Sequence, residues 1–418
     1  MSYSAGNVRL TLDKPTETYN NMKRHIITTL AALSCLVPLS AQDIETWESG
    51  GYTLRVIPGS ENSVEITKYN GTDSELRIPA TFRRDGTTYE VTSIGRQAFY
   101  YNRNITEVIL PDGVSHIGEM AFTGCHNLCT LILPESLTSV EPFSFTEVGT
   151  EVIVLPDGVR TLNFANFLSD YRLNTLVLGK GIRTLGDVTL AELPGLKELY
   201  VLSPEIPAID EDTTPFCGAC CPDATVYVPA ELLAMYPKRP DDQRFSVCQM
   251  NEDFENGWAY FHDYRPVPDL FTVLYKDAYT VECGESLPIL YETINYKGVT
   301  VYGTEWICDD EGVATVFDGY VSGVKAGTTK GRLKVKTNQG EFISKDLTIT
   351  VIGTDLNDTP RKSPTAGGHS DMPLIREGEG LTEIYSLDGI YLGSDARELA
   401  PGIYVERKNG ESRKITVQ

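Results

Sequence analysis

Four cysteines lie close together in the sequence and are the residues best suited to chemistry. Cys217, Cys220 and Cys221 form a C-x-x-C pair with a third adjacent thiol, and Cys248 follows further along the chain. Such a pair is compatible with a zinc site or with redox work. The second half of a zinc spacing is missing, so the pattern favours disulfides or buried thiols. Metal binding and redox chemistry remain the alternatives.

The remaining catalytic residue types form no known constellation. The five histidines are His25, His116, His126, His262 and His369, and none belongs to an H-E-x-x-H pair. The sequence also lacks a nucleophile elbow, a phosphate-binding loop, a dinucleotide fingerprint and an EF-hand. No feature selects a pair of carboxylates at glycosidase spacing. We therefore predict no catalytic residue, no metal site, no cofactor and no enzymatic activity, with an exported carboxylate enzyme as the least favoured alternative.

Charge and hydropathy exclude two classes of partner. The 418-residue chain has 58 acidic and 36 basic residues, a formal net charge of −22. Nucleic acid and anionic lipid both require basic surfaces, so neither is an expected partner. No run of 18 apolar residues is present, which argues against a transmembrane helix. The length allows two or three domains.

The N-terminal region has the features of an export signal. Two bases follow Met22, an apolar stretch runs over 26–33, and small residues end at Ala41. This order predicts a secretory signal peptide cleaved after Ala41, with translation starting at Met22. Lipidation at Cys35 and a buried amphipathic helix are the alternatives. We expect an exported protein, at the cell surface or secreted, in a setting that permits disulfides.

A repeated pattern occupies the middle of the chain. An apolar pair spaced by two residues is followed by a small and then an apolar, mostly aromatic, residue, as in Val91, Ile94, Ala98 and Phe99. Further copies start at Val114, Leu137, Val159 and Ile182. A period of 22–23 residues predicts a solenoid, in which stacked units share one continuous core.

A second pattern keeps step with the first and predicts short strands. It reads apolar-x-apolar-Pro, as in Val108-Ile109-Leu110-Pro111. Because strand side chains alternate, Leu110 and its equivalents should face the core, and the residues between them should face outward. The outward apolar row comprises Ile109, Ile132, Val154, Val177, Tyr200 and Tyr227, and the second outward row includes Glu107, Thr130, Thr175 and Glu198.

These outward rows are the candidate ligand-binding residues. A long exposed apolar stripe often marks an interaction surface. Tyr200 and Tyr227 are the strongest candidates, since tyrosine is enriched at binding hot spots. The alternative is that β-branched and aromatic residues are there only because they suit strands.

The segment from Ile117 to Pro134 resembles the BspA-like group of bacterial leucine-rich repeats, with its I-G-x-x-A-F…C-x-x-L-x-x-L-x-L-P frame. The resemblance covers about 45–262, including an N-terminal cap from Gly51 and a C-terminal cap at Ala224–Tyr236. It implies an inward position for Cys125. Glu141 and Asn163 where glycine is usual, and Leu190 for phenylalanine, indicate drifted repeats.

Residues 264–353 change to short alternating segments rich in Val, Thr and Tyr, which predicts a β-sandwich. The run from Trp306 to Thr328 resembles the bacterial Ig-like domain of group 2. That resemblance implies a spacer or adhesive module in which Trp306 is a core residue. Cys283 and Cys308 fall on neighbouring strands in this interpretation, which would allow a disulfide.

The C-terminal part divides into a linker and a small module. Prolines and glycines over 354–380 predict a linker. Leu387-Asp388-Gly389 and Pro401-Gly402-Ile403-Tyr404 resemble the C-terminal sorting modules of type IX secretion in Bacteroidota. The resemblance implies a small β module and delivery to the surface.

The predicted architecture is mainly β. It comprises an upstream segment and signal peptide (1–41), a leucine-rich-repeat solenoid (42–262), an Ig-like β-sandwich (263–353), a linker (354–380) and a sorting-like β module (381–418). We expect a non-catalytic adhesion or recognition protein. Its strand face would bind a protein ligand, such as a host matrix protein or another bacterial surface protein. Capture of glycans for nutrient uptake is the alternative.

Overall fold

The computed structural model describes residues 46–209, 213, 215–216, 223–237, 258 and 261–353, together with four strands within 382–417. The predicted signal peptide, the whole of the predicted linker and Cys217, Cys220, Cys221 and Cys248 lie outside the described residues. The described residues are mainly β, as the sequence predicted, and none of them lies in an α-helix. Two compact units are distinguished, Met1–Asp358 and Thr359–Gln418.

An antiparallel segment begins the first unit and leads into the repeats. Its strands are β1 (Thr46–Ser49), β2 (Tyr52–Val56), β3 (Ser63–Tyr69), β4 (Glu75–Arg77), β5 (Thr81–Arg84) and β6 (Thr87–Ile94). β1, β2 and β3 pair antiparallel, and β3 then pairs parallel with β6. The N-terminal segment thus closes the open edge of the first repeat, where unpaired backbone would otherwise be exposed.

Each repeat contributes two short parallel strands. The apolar-x-apolar-Pro pattern forms one row, which we call the strand face. After β4, its strands are β7 (Glu107–Ile109), β9 (Thr130–Ile132), β11 (Val152–Leu155), β13 (Thr175–Leu178), β15 (Glu198–Val201), β17 (Thr225–Val228) and β18 (Asp263–Pro266). The other pattern forms a second row after β6, with β8 (His116–Ile117), β10 (Ser139–Val140), β12 (Thr161–Phe164), β14 (Thr184–Asp187) and β16 (Ala208–Ile209). The strand face includes Asp263–Pro266, which lies beyond the expected solenoid end at 262.

The shared core lies between the two rows. Leu110, Leu131, Ile153, Leu176 and Leu199 are all buried, so the inward assignment of the alternating pattern is confirmed. The phenylalanines of the small-aromatic motif form a continuous stack, with ring centroids 5.0 to 6.2 Å apart along Phe99, Phe122, Phe145 and Phe167. Each repeat therefore completes the core of the next one.

A second module of two packed sheets follows the solenoid within the first unit. Its strands are β19 (Leu270–Leu274), β20 (Ala278–Glu282), β21 (Ser286–Pro288), β22 (Tyr291–Asn295), β23 (Val301–Cys308), β24 (Ala314–Phe317), β25 (Tyr320–Gly323), β26 (Gly327–Thr337), β27 (Gly340–Ile343) and β28 (Leu347–Ile352). One sheet has the order β20-β28-β26-β23 with β27 on β26, and the other has β21-β25-β24. Trp306 packs against the core between them.

Two strands of the second module form a separate two-stranded sheet. β19 pairs antiparallel with β22, and the register sets Phe271 opposite Ile294 and Val273 opposite Glu292. We call this pair the docking sheet, because Val273, Phe271 and Ile294 pack against the solenoid, while Leu270 and Tyr291 pack against the module's own sheets.

The second unit is a four-stranded sheet. Its strands are β29 (Thr382–Tyr385), β30 (Tyr391–Gly393), β31 (Gly402–Lys408) and β32 (Glu411–Val417), in the order β30-β29-β31-β32. All pairs in this sheet are antiparallel.

Candidate functional site

The parallel register of the strand face aligns the candidate binding residues in rows. Val154 pairs with Val177, Val177 with Tyr200, and Tyr200 with Tyr227. Residues at matching positions of in-register parallel strands lie on the same side of a sheet. The in-register pairing therefore aligns these residues in one apolar row, in which neighbouring members are about one strand spacing apart.

This row is not a free surface, contrary to the sequence-based expectation. Val154, Val177 and Tyr200 are buried, with Tyr200 only 6% exposed. They form one apolar cluster with Val273 and Tyr275 of the second module, and Ile132, Tyr227, Phe271 and Ile294 pack against it. The expectation was wrong because the docking sheet covers the row from Ile132 to Tyr227.

An aromatic stack occupies the centre of the covered row. The ring of Phe271 lies 4.4 Å from the ring of Tyr200 at an interplanar angle of 10°. Tyr200 in turn stacks on Tyr227 at 4.4 Å and 8°. Burial, followed by the negative charge of Glu198, raises the pKa of the Tyr200 phenol far above its usual value. The phenol therefore stays neutral and acts as an apolar contact surface.

The second outward row is also drawn into the junction. The Glu107 carboxylate forms an ion pair with Lys276 at 2.9 Å, and Glu198 pairs with Lys345. Thr130 and Thr175 are buried beside them, and the hydroxyl of Thr130 has no hydrogen-bond partner. Glu107 and Glu198 are thus the ion-pair partners of lysines in the second module.

Ile109 is the one member of the apolar row outside the covered cluster. It is half-buried, and the residue aligned with it on the preceding strand is Arg77, which is exposed. Glu75 at the start of that strand is exposed as well. The N-terminal end of the strand face thus stays accessible.

A group of carboxylates borders the junction beside the docking sheet. Burial raises the pKa of Glu292, the Tyr275 hydroxyl lowers it by donating a hydrogen bond at 2.9 Å, and Glu135 and Asp157 raise it further. Burial also raises the pKa of Glu135, helped by the charges of Asp157 and Asp112. Protonation would relieve both the desolvation and the repulsion at this border.

The described cysteines carry no disulfide, which corrects the expected Cys283–Cys308 bridge. The Cys283 thiol donates to the carbonyl of Val324 at 2.9 Å, and the Cys308 thiol donates to that of Ala314 at 3.1 Å. Cys308 ends β23, whereas Cys283 follows β20, and β28 and β26 lie between those strands. The two cysteines therefore do not lie on neighbouring strands, contrary to the sequence-based expectation.

The described residues contain neither a cluster of metal-binding side chains nor a membrane-spanning helix. Within that part of the chain, no group of three or more His, Cys, Asp and Glu side chains could hold a metal ion. No helix there is long and apolar enough to cross a bilayer.

The sequence reasoning missed an exposed aromatic cluster on the loops that join the two strand rows. Tyr100 and Tyr101 follow Phe99, and each is 44% exposed. Their ring centroids are 4.6 Å apart at 78°, and Tyr101 also meets His126 of the next repeat edge-on at 6.1 Å. We call these three residues the Tyr101 cluster. The signal was present in the sequence, because the other repeats carry no aromatic pair after the phenylalanine position.

The geometry defines a leucine-rich-repeat solenoid with a second module docked on its strand face. The model of the BspA type leucine rich repeat region matches residues 92–214 in six copies, one more than the five aligned copies in the sequence. This segment is thus a BspA-type repeat region, with Glu141, Asn163 and Leu190 lying inside it. No curated protein matches the chain.

Several solved structures of leucine-rich-repeat proteins are similar to part of this chain. A T. pallidum leucine rich repeat protein is 22% identical over 44% of this chain and 81% of its own, with a TM-score of 0.38. A protein from Bacteroides capillosus is 21% identical over 44% and 99%, with a TM-score of 0.23. A leucine rich cell surface protein from Faecalibacterium prausnitzii is 14% identical over 54% and 95%, with a TM-score of 0.18.

Proposed function

We propose that this protein is a non-catalytic recognition or adhesion protein that acts outside the cell, either at the surface or secreted. The observation that carries the proposal is the junction itself, where the strand face holds a folded β surface through a stack of three aromatic rings. Repeat solenoids offer extended surfaces for such contacts. The BspA-type repeats at 92–214 support the same class of function.

The ligand in this proposal is a protein, a host matrix protein or another bacterial surface protein, which contacts the accessible N-terminal end of the strand face. Ile109 supplies an apolar centre there, and Arg77 and Glu75 supply a charged rim. An apolar centre with a polar rim is the usual composition of a protein interface.

Capture experiments with the purified protein test this proposal. Ile109→Asp should weaken binding to an immobilised matrix protein by more than tenfold, because it places a charge at the interface centre. Phe317→Asp, at a position of the second module that is 83% exposed, should leave binding unchanged. Equal binding by both variants would remove the strand face from the proposal.

Export and the outer modules belong to the same proposal. The motif from Met22 to Ala41 supports cleavage by a signal peptidase, and N-terminal sequencing of the secreted chain should begin at Gln42. The two packed sheets over Ala278–Ile352 support an Ig-like spacer, and the sheet formed by the four strands within 382–417 supports a sorting module.

Glycan capture is the second candidate. The specific observation that favours it is the Tyr101 cluster, since Tyr200 and Tyr227, the strongest candidates in the sequence, are stacked in the junction.

A further inference from the structure

The ring of Tyr101 lies flat on the backbone of the next repeat. A Cβ atom built on Gly124 would stand 2.8 Å from ring atoms Cγ and Cδ1 and 2.9 Å from Cε1. A point nearly equidistant from three consecutive ring atoms lies over the ring face and not at its edge. One face of Tyr101 is therefore covered by Gly124, and the ring is held as a fixed plate by the absence of a side chain there.

Two further rings stand almost perpendicular to this plate. Tyr100 makes an angle of 78° with it and His126 an angle of 85°. Edge-to-face contacts of this kind are favourable because the positive ring edge meets the negative ring face. Tyr101 also has a left-handed backbone, with φ of 52°, at the position where Gly124 has φ of 74°. The solenoid loop thus imposes the backbone conformation that orients the plate.

Planar polar residues adjoin the cluster in the sequence. Arg103 and Asn104 follow Tyr101 by two and three residues, Asn127 follows His126, and all three are exposed. The Asn127 amide donates a hydrogen bond to the backbone carbonyl of Arg103 at 2.6 Å. Amide and guanidinium groups can pair with hydroxyl groups as donors, and the amides also as acceptors.

The local charge is balanced, unlike that of the chain as a whole. Glu147 and Arg103 act on the Tyr101 phenol with opposite sign, after burial as the main cause of its raised pKa. The net charge of −22 of the whole chain makes a polyanionic ligand unfavourable. The surface fits a neutral ligand with apolar faces and many hydroxyl groups.

We propose that the Tyr101 cluster is a binding site for a neutral oligosaccharide, with one sugar ring packed against the exposed part of the Tyr101 side chain and its hydroxyl groups contacting Arg103, Asn104 and Asn127. The site is separate from the strand face and does not depend on the proposed protein ligand. Tyr171 offers a matched comparison, because it is 60% exposed on an equivalent loop, and no described ring contacts it.

Native gel electrophoresis of the full chain tests the proposal, with soluble β-glucan, xylan, mannan or dextran cast in the gel. We expect at least one neutral polymer to retard the protein. Tyr101→Ala should lower the association constant at least about tenfold, whereas Tyr171→Ala should change it less than twofold. Gly124→Val should act like Tyr101→Ala, because its side chain would displace the plate.

Several results would overturn the proposal. One is the absence of retardation by any of the four polymers. Another is an equal effect of Tyr101→Ala and Tyr171→Ala on binding when both variants have unchanged thermal unfolding. A change of sedimentation in Tyr101→Ala would instead assign the cluster to self-association. Failure of this site would leave the Ile109→Asp test of protein binding unaffected.

Discussion

At the residue scale, Asp170 is a buried carboxyl group at a position that holds an amide three repeats earlier. Its Oδ1 accepts a hydrogen bond from the backbone N–H of Arg172 at 3.3 Å. Asn102, three residues after its own stacked phenylalanine as Asp170 is, accepts equivalent backbone bonds with its Oδ1 at 2.9 and 3.2 Å. Burial is the main cause that raises the pKa of Asp170 from 3.8 to about 8.

We expect Asp170→Asn to stabilise the protein at pH 8 by about 1–3 kcal/mol, since it removes a buried charge and keeps the accepting oxygen. Between pH 4 and 8 the folded protein holds this proton more tightly than the unfolded chain does. The contribution of Asp170 to the free energy of unfolding therefore falls as pH rises through this window. Urea unfolding at pH 5 and pH 8 measures the difference.

The gain from Asp170→Asn should be clearly smaller at pH 5 than at pH 8, because pH 5 lies near the lower end of this window. Asp112→Asn is the control, because Asp112 is an exposed solenoid aspartate. An equal gain at both pH values would contradict the buried-charge explanation.

The Cys125 thiol should resist alkylation in the folded protein. Burial raises its pKa to about 12, and the thiol donates to the carbonyl of Phe99 at 3.0 Å. Only the thiolate is nucleophilic, so iodoacetamide at pH 8 should modify half-buried Cys129 well before Cys125. Peptide mass spectrometry reads both sites, and modification of Cys125 at the same rate would show that it is not enclosed.

At the scale of elements, the loops between the two strand rows form a hydrogen-bonded ladder of their own. Phe99, Phe122 and Phe145 each donate a backbone N–H to the loop of the next repeat at 2.9 to 3.0 Å. Left-handed residues recur four apart in these loops, as at Gln97 and Tyr101. This spacing turns alternate N–H groups toward the next repeat, which satisfies buried backbone without a helix.

Successive repeats approach most closely at particular glycines. A Cβ atom on Gly186 would collide with the backbone carbonyl of Asn163 in the preceding repeat. A backbone atom cannot move aside as a flexible side chain can. We therefore expect Gly186→Ala to lower the free energy of unfolding by about 1–3 kcal/mol.

Gly303→Ala is the matched control for Gly186→Ala, because no atom lies within 4 Å of the added Cβ. Its effect should stay within about 0.5 kcal/mol. Denaturant unfolding compares the two variants. Similar midpoints would mean that the repeats separate more easily than the structure indicates.

At the scale of the whole molecule, the solenoid and the second module form one compact unit because the strand face is covered. The docking sheet contributes Phe271 to the aromatic stack and Ile294 beside it. Lys276 and Lys345 add ion pairs at separate points of the junction. Apolar burial supplies the attraction, and the ion pairs set the orientation.

Phe271→Asp should loosen the second module from the solenoid, since it would bury an unpaired charge in the stack. We expect a larger radius of gyration in X-ray scattering and faster proteolysis between the two parts. Phe317→Asp is the matched control, because Phe317 belongs to the same module and is 83% exposed. An unchanged radius for Phe271→Asp would show that the junction does not depend on the aromatic stack.

The sequence by itself determined the repeats, their strands and their core. These features depend on local patterns, because each strand pairs with the equivalent strand of the next repeat, 22–23 residues away. Alternation then decides which residue of each strand faces inward, as the burial of Leu131 and Leu176 shows. The same local rule did not reveal that the first pattern, around Ile94 and Ile117, also pairs as strands.

Only the tertiary structure decided what covers the outward row and which cysteines are neighbours. An apolar outward row has the same pattern whether it meets solvent, a ligand or another module, so Tyr200 does not reveal its partner. That partner, Phe271, lies in a different module with a different period. Strand order within a sheet is likewise non-local, which is why Cys283 and Cys308 were wrongly expected on neighbouring strands. Local periodicity specifies an element and its buried side, whereas contacts between distant elements depend on the packing of the whole chain.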